Sequence, residues 1–364
     1  MKRFFNLHSF IALCSIMGIA AIFIINRLDP LNTVSRDGVA LDTVISVTAS
    51  APKSISELNG ILNDAFALIE ELDDRFSMYN ENSDVSLMSA NAGGEWVPVS
   101  RPTYEALAAA VHAAKLTDGA YDPTIGPVSI AWRDRLSENS LPSEEEIDAA
   151  LLRVSFDALE LSSSPPMAKL DMPGGVVDLG GIAKGYVSSS VRNLLKERGV
   201  TSALIDLGGN VVVIGGRPRN GSGTRTPWRI GVQHPSKPRG TPICVVSLSE
   251  GSVITAGDYE RFWEVDGGRY THIYNPATGF PVDGRLKSVT IISDDPTQGD
   301  ALSTAFIVMG EPQALELLRI MPEVGAIFIS ETDDEEYRIT ATGDLKGAVE
   351  TTPGGPHIAF HDTW

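Results

Sequence analysis

Cysteine is nearly absent: the chain has two, Cys14 and Cys244. A disulfide framework is thereby excluded, and Cys244, in a Val-rich stretch, reads as a small core residue. Positive charge is scarce as well. Against 47 acidic residues stand 29 lysines and arginines, giving a formal charge of -18 and a pI near 4.7, and the basic residues do not cluster. Binding to a phosphate backbone needs a basic face, so a nucleic-acid partner is excluded. An acidic chain that handles a phosphorylated ligand must offset its own field locally, with a metal ion or with backbone N–H groups. Aromatics are few and internal repeats are lacking. What is present, 43% hydrophobic residues in a chain of 364, suffices for a globular protein of one large or two modest domains.

The N-terminal segment decides the expected compartment. Lys2 and Arg3 precede an apolar run over residues 10–25, which Asn26 and Arg27 interrupt. At about 1.5 Å per residue the run spans roughly 24 Å, short of a bilayer core of about 30 Å and long for a cleavable signal. Residues 1–28 are read as a signal anchor or a signal peptide. Gly18-Ile19-Ala20 has small-x-small cleavage spacing, but apolar residues continue past it. Ile11-Ala12-Leu13-Cys14 has the outline of a lipidation motif, with Leu13 too large for its position. In each case the basic end stays cytoplasmic and residues beyond about 30 are exported.

Residues 29–38 read as a linker, and residues 39–48, rich in β-branched side chains, as a first strand. Apolar positions three and four apart predict a helix over 54–76. A second helix starts near Pro102 and stops at Gly119, and a third is announced by Ser143 and Glu146 at capping-box spacing. Gly119-Ala-Tyr-Asp122-Pro-Thr-Ile-Gly126-Pro127 lies between them as an ordered loop. Asp178-Leu-Gly-Gly-Ile-Ala-Lys184-Gly-Tyr186 reads as a strand, a glycine turn and a helix. Its backbone N–H groups and Lys184 suit phosphate, although the Walker spacing is absent. Short strands dominate from Ser202 onward, with a Gly-Gly turn in Asp206-Leu-Gly-Gly-Asn210. Residues 300–319 read as a helix broken at Gly310, strands at 326–330 and 337–340 as a hairpin, and residues 351–364 as a flexible tail.

The densest chemistry lies between Arg269 and Gly310. Asp300 and Thr304 are one helical turn apart at an expected helix start, so both oxygens share a face and suit Mg²⁺; the other reading is a helix cap and a packing threonine. His272, at a strand end before a Pro-Ala-Thr-Gly turn, is placed either as a general base or as a hydrogen-bonding residue of the turn. Tyr79 and Tyr121 either pack in the core or flank a planar ligand.

Taken in order, Ser77-Met-Tyr79, Gly119-Ala-Tyr-Asp122 with Trp132, Asp178 to Tyr186, Asp206-Leu-Gly-Gly209, Gly257-Asp-Tyr-Glu-Arg261, His272-Ile-Tyr-Asn-Pro-Ala-Thr-Gly279 and Asp300-Ala-Leu-Ser-Thr304 resemble the ApbE family of FAD:protein FMN transferases. The resemblance implies a single α+β, T-fold-related domain over residues 39–350, with mixed and antiparallel sheets and packed helices. It implies that FAD is the substrate, Mg²⁺ the cofactor, and a Thr or Ser of a target protein the acceptor of FMN, with AMP released; targets include membrane electron-transfer subunits. Together with the N-terminal segment, the resemblance implies a place at the periplasmic side of a bacterial inner membrane. Carried over by position, Leu41, Tyr79, Ala120, Tyr121, Asp122, Asp178, Lys184 and Tyr274 contact the flavin nucleotide. The Gly181 carbonyl, Asp300 and Thr304 bind the metal, with Ser303 where some members add a carboxylate. His272 matches the proposed base. The chain departs from the family pattern at Leu41-Asp42-Thr43, where Met-Gly-Thr is usual, and at Ser189, Ala256, Asn275 and Ser303. A flavin-binding protein without transfer, or a metal-dependent FAD pyrophosphatase, would share the same site.

Overall fold

The computed structural model describes residues 31–219 and 224–362. The expected N-terminal anchor, residues 1–28, lies outside the described residues. Among those that are described, no helix is long and apolar enough to cross a membrane.

Nine strands form the central sheet. In order across it they are Asn32–Ala40, Thr43–Ala51, Ser202–Leu207, Asn210–Ile214, Gly251–Gly257, Leu286–Ser293, Gly325–Glu331, Tyr337–Thr342 and Ile358–His361. Spatial order thus follows chain order. All neighbours are antiparallel except the last pair, which is parallel. Period-two alternation sorts the apolar residues onto two faces. Ile45, Val47, Ile205, Val212, Ile291 and Phe328 meet the helices on one side. Val211, Val213, Val253, Ile292 and Ile329 meet the small sheet of Trp228–Gln233, Pro242–Leu248 and Val349–Thr351 on the other.

The helical layer is built from Ile55–Phe76, Arg101–Leu116, Ala183–Glu197 and Pro296–Met309. The first begins with a capping box in which the Ser54 hydroxyl accepts from Glu57 N and the Glu57 carboxylate accepts from Ser54 N, an arrangement worth about 1 kcal/mol. The same device opens Glu144–Leu151, as its Ser-x-x-Glu spacing predicts. Gly126–Ser137, which the sequence reading leaves out, packs Val128, Trp132 and Leu136 against Ile147 and against Val265 of the hairpin Phe262–Val265/Gly268–Thr271.

Two expectations about the ends are corrected. Most of the supposed linker at 29–38 belongs to the edge strand Asn32–Ala40, paired residue by residue with Thr43–Ala51. Its polar outer face is what an edge strand facing water presents, and Gly38 is small because Phe66 presses there: an added Cβ would sit 2.7 Å from the ring. In the supposed tail, Ile358–His361 is the outermost sheet strand, with Ile358 buried. Asp300 is also not at a helix start. Asp295 caps that helix by accepting from Thr297 N and Gln298 N, and Pro296 takes the first position, which leaves Asp300 in the second turn.

Candidate active site

One end of the sheet gathers tight turns. Leu41 and Asp42, both at positive φ, join the first two strands. Gly208 and Gly209, at φ 68° and 98°, join the next two. The turns touch, since a Cβ on Gly208 would lie 2.4 Å from Thr43 Oγ1. Residues 258–261 leave the sheet at the same end, after Gly257.

Asp300 is the centre of this region. Its side chain is buried, with Oδ2 accepting from Gly185 N at 2.8 Å and Oδ1 from Asn210 Nδ2 at 2.8 Å. Gly185 lies in the first turn of Ala183–Glu197, where N–H groups have no partner within the helix and the macrodipole favours an anion. Only glycine fits at that position: a Cβ would sit 2.2 Å from Pro296 O and 2.7 Å from Asp300 Cβ. Thr304 stands one turn further along, half-exposed, with Oγ1 3.4 Å from the Asp300 carbonyl. Ser303 is buried and donates its hydroxyl to the same carbonyl at 2.8 Å.

Gly181 brings a second wall. A Cβ there would meet Tyr121 Cε2 at 2.9 Å and Thr304 Oγ1 at 3.3 Å, so glycine admits the backbone close to both. The Tyr121 hydroxyl is buried and has no hydrogen-bond partner. Burial, then the charges of Asp178, Asp300 and Asp122, push its pKa well up, so it remains a protonated donor. Asp178 is held by Ser129 Oγ at 2.9 Å and Gly180 N at 2.8 Å. Asp122 is committed elsewhere: Thr124 N and Oγ1 donate to one oxygen and Phe156 N to the other, so its carboxylate shapes the loop that carries Ala120 and Tyr121. Burial, partly opposed by these bonds, raises its pKa.

An aromatic rim continues from Asp178. Tyr274 interacts electrostatically with Asp178, Tyr79 and Arg133, and its ring stacks on Trp132 at 6.1 Å. Tyr79 is exposed, with the Arg133 guanidinium 4.6 Å above its ring. Trp132, a buried residue, donates Nε1–H to the Gly279 carbonyl at 2.7 Å and ties the rim to the turn after His272.

His272 places Nδ1 3.0 Å from the Arg261 carbonyl. A carbonyl can only accept, so Nδ1 carries the proton and Nε2 keeps a free lone pair. Burial lowers its pKa to about 4; the Arg261 carbonyl opposes this, while Lys184 and Arg261 add to it. The imidazole is neutral at pH 7 and open to a proton. Arg261 in turn donates to the Asp42 carbonyl at 3.0 Å and lies 3.8 Å from its carboxylate. Leu41, packed partly against the core, donates its N–H to Asp73 at 2.8 Å.

Among the described residues no three His, Cys, Asp or Glu side chains cluster as a metal cage. A cation here would rely on one carboxylate, a hydroxyl, a carbonyl and ligand oxygens, which is the donor set of a hard ion that shares its shell with phosphate. The residues fit such an ion: Asp300 keeps a free lone pair on each oxygen, Thr304 stands beside it, and glycine at 181 opens the approach. The structure therefore joins Asp300, Thr304, Gly181, Tyr121, Asp178, Tyr274 and Tyr79 through consecutive contacts or electrostatic interactions, and His272 interacts with Lys184, the neighbour of the Gly185 that holds Asp300. Asn210, Arg133 and Arg261 side chains belong to the same region, and the sequence reading gives none of the three a role.

The ApbE family profile matches residues 41–328. An FAD:protein FMN transferase of Treponema pallidum (strain Nichols) is 33% identical over 303 residues, covering 81% of this chain and 84% of the relative. One from Klebsiella pneumoniae (strain 342) is 33% identical over 282 residues, covering 78% and 86%. Among solved structures, the flavin transferase ApbE from Vibrio cholerae superposes with a TM-score of 0.76 at 27% identity, covering 88% of this chain and 100% of that one. The ApbE protein from Thermotoga maritima gives a TM-score of 0.73 at 31% identity, covering 89% and 98%.

Proposed function

The chain belongs to the ApbE family, and from that premise we propose that it transfers FMN from FAD to a Thr or Ser hydroxyl of a target protein, releasing AMP. The observation that carries this reading is the union of a buried, doubly held Asp300 with a neutral, rigidly placed His272 across the Lys184 helix terminus. Asp300, Thr304 and the Gly181 carbonyl would hold Mg²⁺, with Ser303 behind them. When bound, the ion neutralises the pyrophosphate and stabilises charge on the oxygen that leaves with AMP. Lys184 and the first turn of its helix attract the same phosphates. Tyr79, Tyr274, Tyr121, Ala120 and Leu41 line the flavin nucleotide, while Asp178 and Asp122 hold the glycine turn and the loop in shape.

In the transfer, the acceptor oxygen forms a bond to the phosphorus of the FMN half and the bond to the bridging oxygen breaks. That oxygen departs with AMP, and the acceptor proton passes to His272 Nε2. The substrate's phosphates offset the charges of Lys184 and Arg261, which raises the basicity of His272 when it is needed. The acceptor is read as a membrane electron-transfer subunit, with residues 1–28 anchoring the enzyme on the periplasmic side of the inner membrane.

The test is incubation with FAD, Mg²⁺ and a candidate acceptor domain. The acceptor mass should rise by one FMN minus water, and His272→Ala or Asp300→Ala should abolish the rise. Free FMN and AMP without an adduct would instead identify a pyrophosphatase, and intact FAD a binding protein. Recovery of the full-length chain in the soluble fraction would sink the anchor.

A further inference from the structure

Asn210 has a position that packing alone does not explain. It is the first residue of its strand, paired with Leu207 across the Gly208-Gly209 turn, whose Gly209 N–H is itself held by Asp206 Oδ1 at 2.8 Å. Its side chain is 1% exposed. The amide nitrogen donates to Asp300 Oδ1 at 2.8 Å. An ionised carboxylate only accepts hydrogen bonds, so the nitrogen must be the atom that faces it, and the amide orientation is settled by chemistry. The amide oxygen is then turned to a buried place where, among the described residues, no group donates to it. Asp300 is meanwhile gripped from the opposite side by Gly185 N–H, so neither carboxylate oxygen can rotate without breaking a bond.

We propose that Asn210 is a positioning residue for a divalent cation. Together with Gly185 N–H, it locks the Asp300 carboxylate so that the remaining lone pairs are presented to the ion. The inference rests on the Mg²⁺-dependent reading above. A residue that orients a metal-binding carboxylate is worth about 10- to 100-fold in metal affinity.

The experiment titrates Mn²⁺, as a paramagnetic substitute for Mg²⁺, into the full-length protein with FAD present and reads free Mn²⁺ by electron paramagnetic resonance. Asn210→Ala should raise the Mn²⁺ dissociation constant about 10- to 100-fold. Its transfer rate should return towards the wild-type value at saturating Mg²⁺, so the defect lies in the metal requirement and not in turnover. A folded Asn210→Ala protein with an unchanged dissociation constant overturns the inference. Asn210→Asp covers the case in which the alanine variant fails to fold: its second carboxylate repels Asp300 until a cation arrives, so thermal stability should fall without Mn²⁺ and recover with it by more than the wild type gains. Destabilisation indifferent to Mn²⁺ overturns the inference. Wild-type protein that binds no Mn²⁺ removes the metal reading itself, which separates the two failures.

Discussion

Replacing Gly185 with alanine adds a single methyl group where the helices Ala183–Glu197 and Pro296–Met309 touch. In an exposed helix interior the change would be favourable by about 1 kcal/mol, because alanine is the better helix former. Here the new Cβ would lie 2.2 Å from Pro296 O, 2.9 Å from Pro296 C and 2.7 Å from Asp300 Cβ. Two of these are backbone atoms, so no side chain can swing aside and the helices must separate. Overpacking of this kind costs about 1–3 kcal/mol. The separation also stretches the bond from Gly185 N to the Asp300 carboxylate, and a bond to a charged group contributes about 1.5–3 kcal/mol. Set against the gain in propensity, the net loss is roughly 1.5–5 kcal/mol. Urea unfolding of the two proteins, extrapolated linearly, reads the difference directly. Gly60 supplies an internal control. It lies exposed in Ile55–Phe76 with no heavy atom within 4 Å of an added Cβ, so Gly60→Ala should stabilise by about 0.5–1 kcal/mol. The same chemical change should therefore have opposite signs at two glycines. A Gly185→Ala protein as stable as the wild type, with undiminished transfer, would refute the claim that this close approach holds Asp300 in place.

Three further outcomes are expected. The folded-state pKa of His272 lies near 4, below an unfolded value of about 6.5, so its contribution to stability is complete above pH 6.5 and is lost as pH falls through 4. The imidazole C2 proton should titrate near pH 4 in the free protein and at higher pH with FAD bound; a midpoint of 6.5 without ligand would contradict the burial of the ring and, after it, the placement beside Lys184 and Arg261. Asp42→Gly relieves a non-glycine residue at φ 56°, worth about 1 kcal/mol, but gives the unfolded chain the entropy of a glycine and loses an exposed contact to Arg261 at 3.8 Å, which together cost about as much, so the unfolding free energy should change by less than about 0.5 kcal/mol. A loss of 2 kcal/mol or more on that denaturation curve would mean that the turn depends on the carboxylate. Trp132→Phe leaves the Gly279 carbonyl without its 2.7 Å donor and should cost about 1–3 kcal/mol, together with weaker flavin binding measured by fluorescence.

The parts of the fold that the sequence announces are those whose cause is local. Ser54 with Glu57 and Ser143 with Glu146 cap helices by contacts three residues apart, and the Gly208-Gly209 turn needs only two glycines that tolerate positive φ. The edge strand Asn32–Ala40 escapes notice for a reason that is also physical: one face meets water, so its composition is that of a loop, and only the partner strand fixes its pairing. The candidate site divides in the same way. His272, Asp300 and Thr304 stand in motifs that can be read along the chain, whereas Asn210 reaches a partner 90 residues away and Arg261 one 219 residues away. This matters most at Asp42, where the chain departs from the Met-Gly-Thr pattern of its family. Read alone, a carboxylate at that position either repels a pyrophosphate or points away from it. In the fold, Asp42 adopts the backbone conformation that a glycine would allow and has Arg261 beside it, and Arg261 also supplies the carbonyl that fixes the His272 tautomer. The substitution is thus accommodated by a residue whose main chain holds the proposed base and whose side chain answers the new charge. No spacing rule could have linked the two, because the hairpin turn and the residue that latches it meet only after the sheet between them has formed.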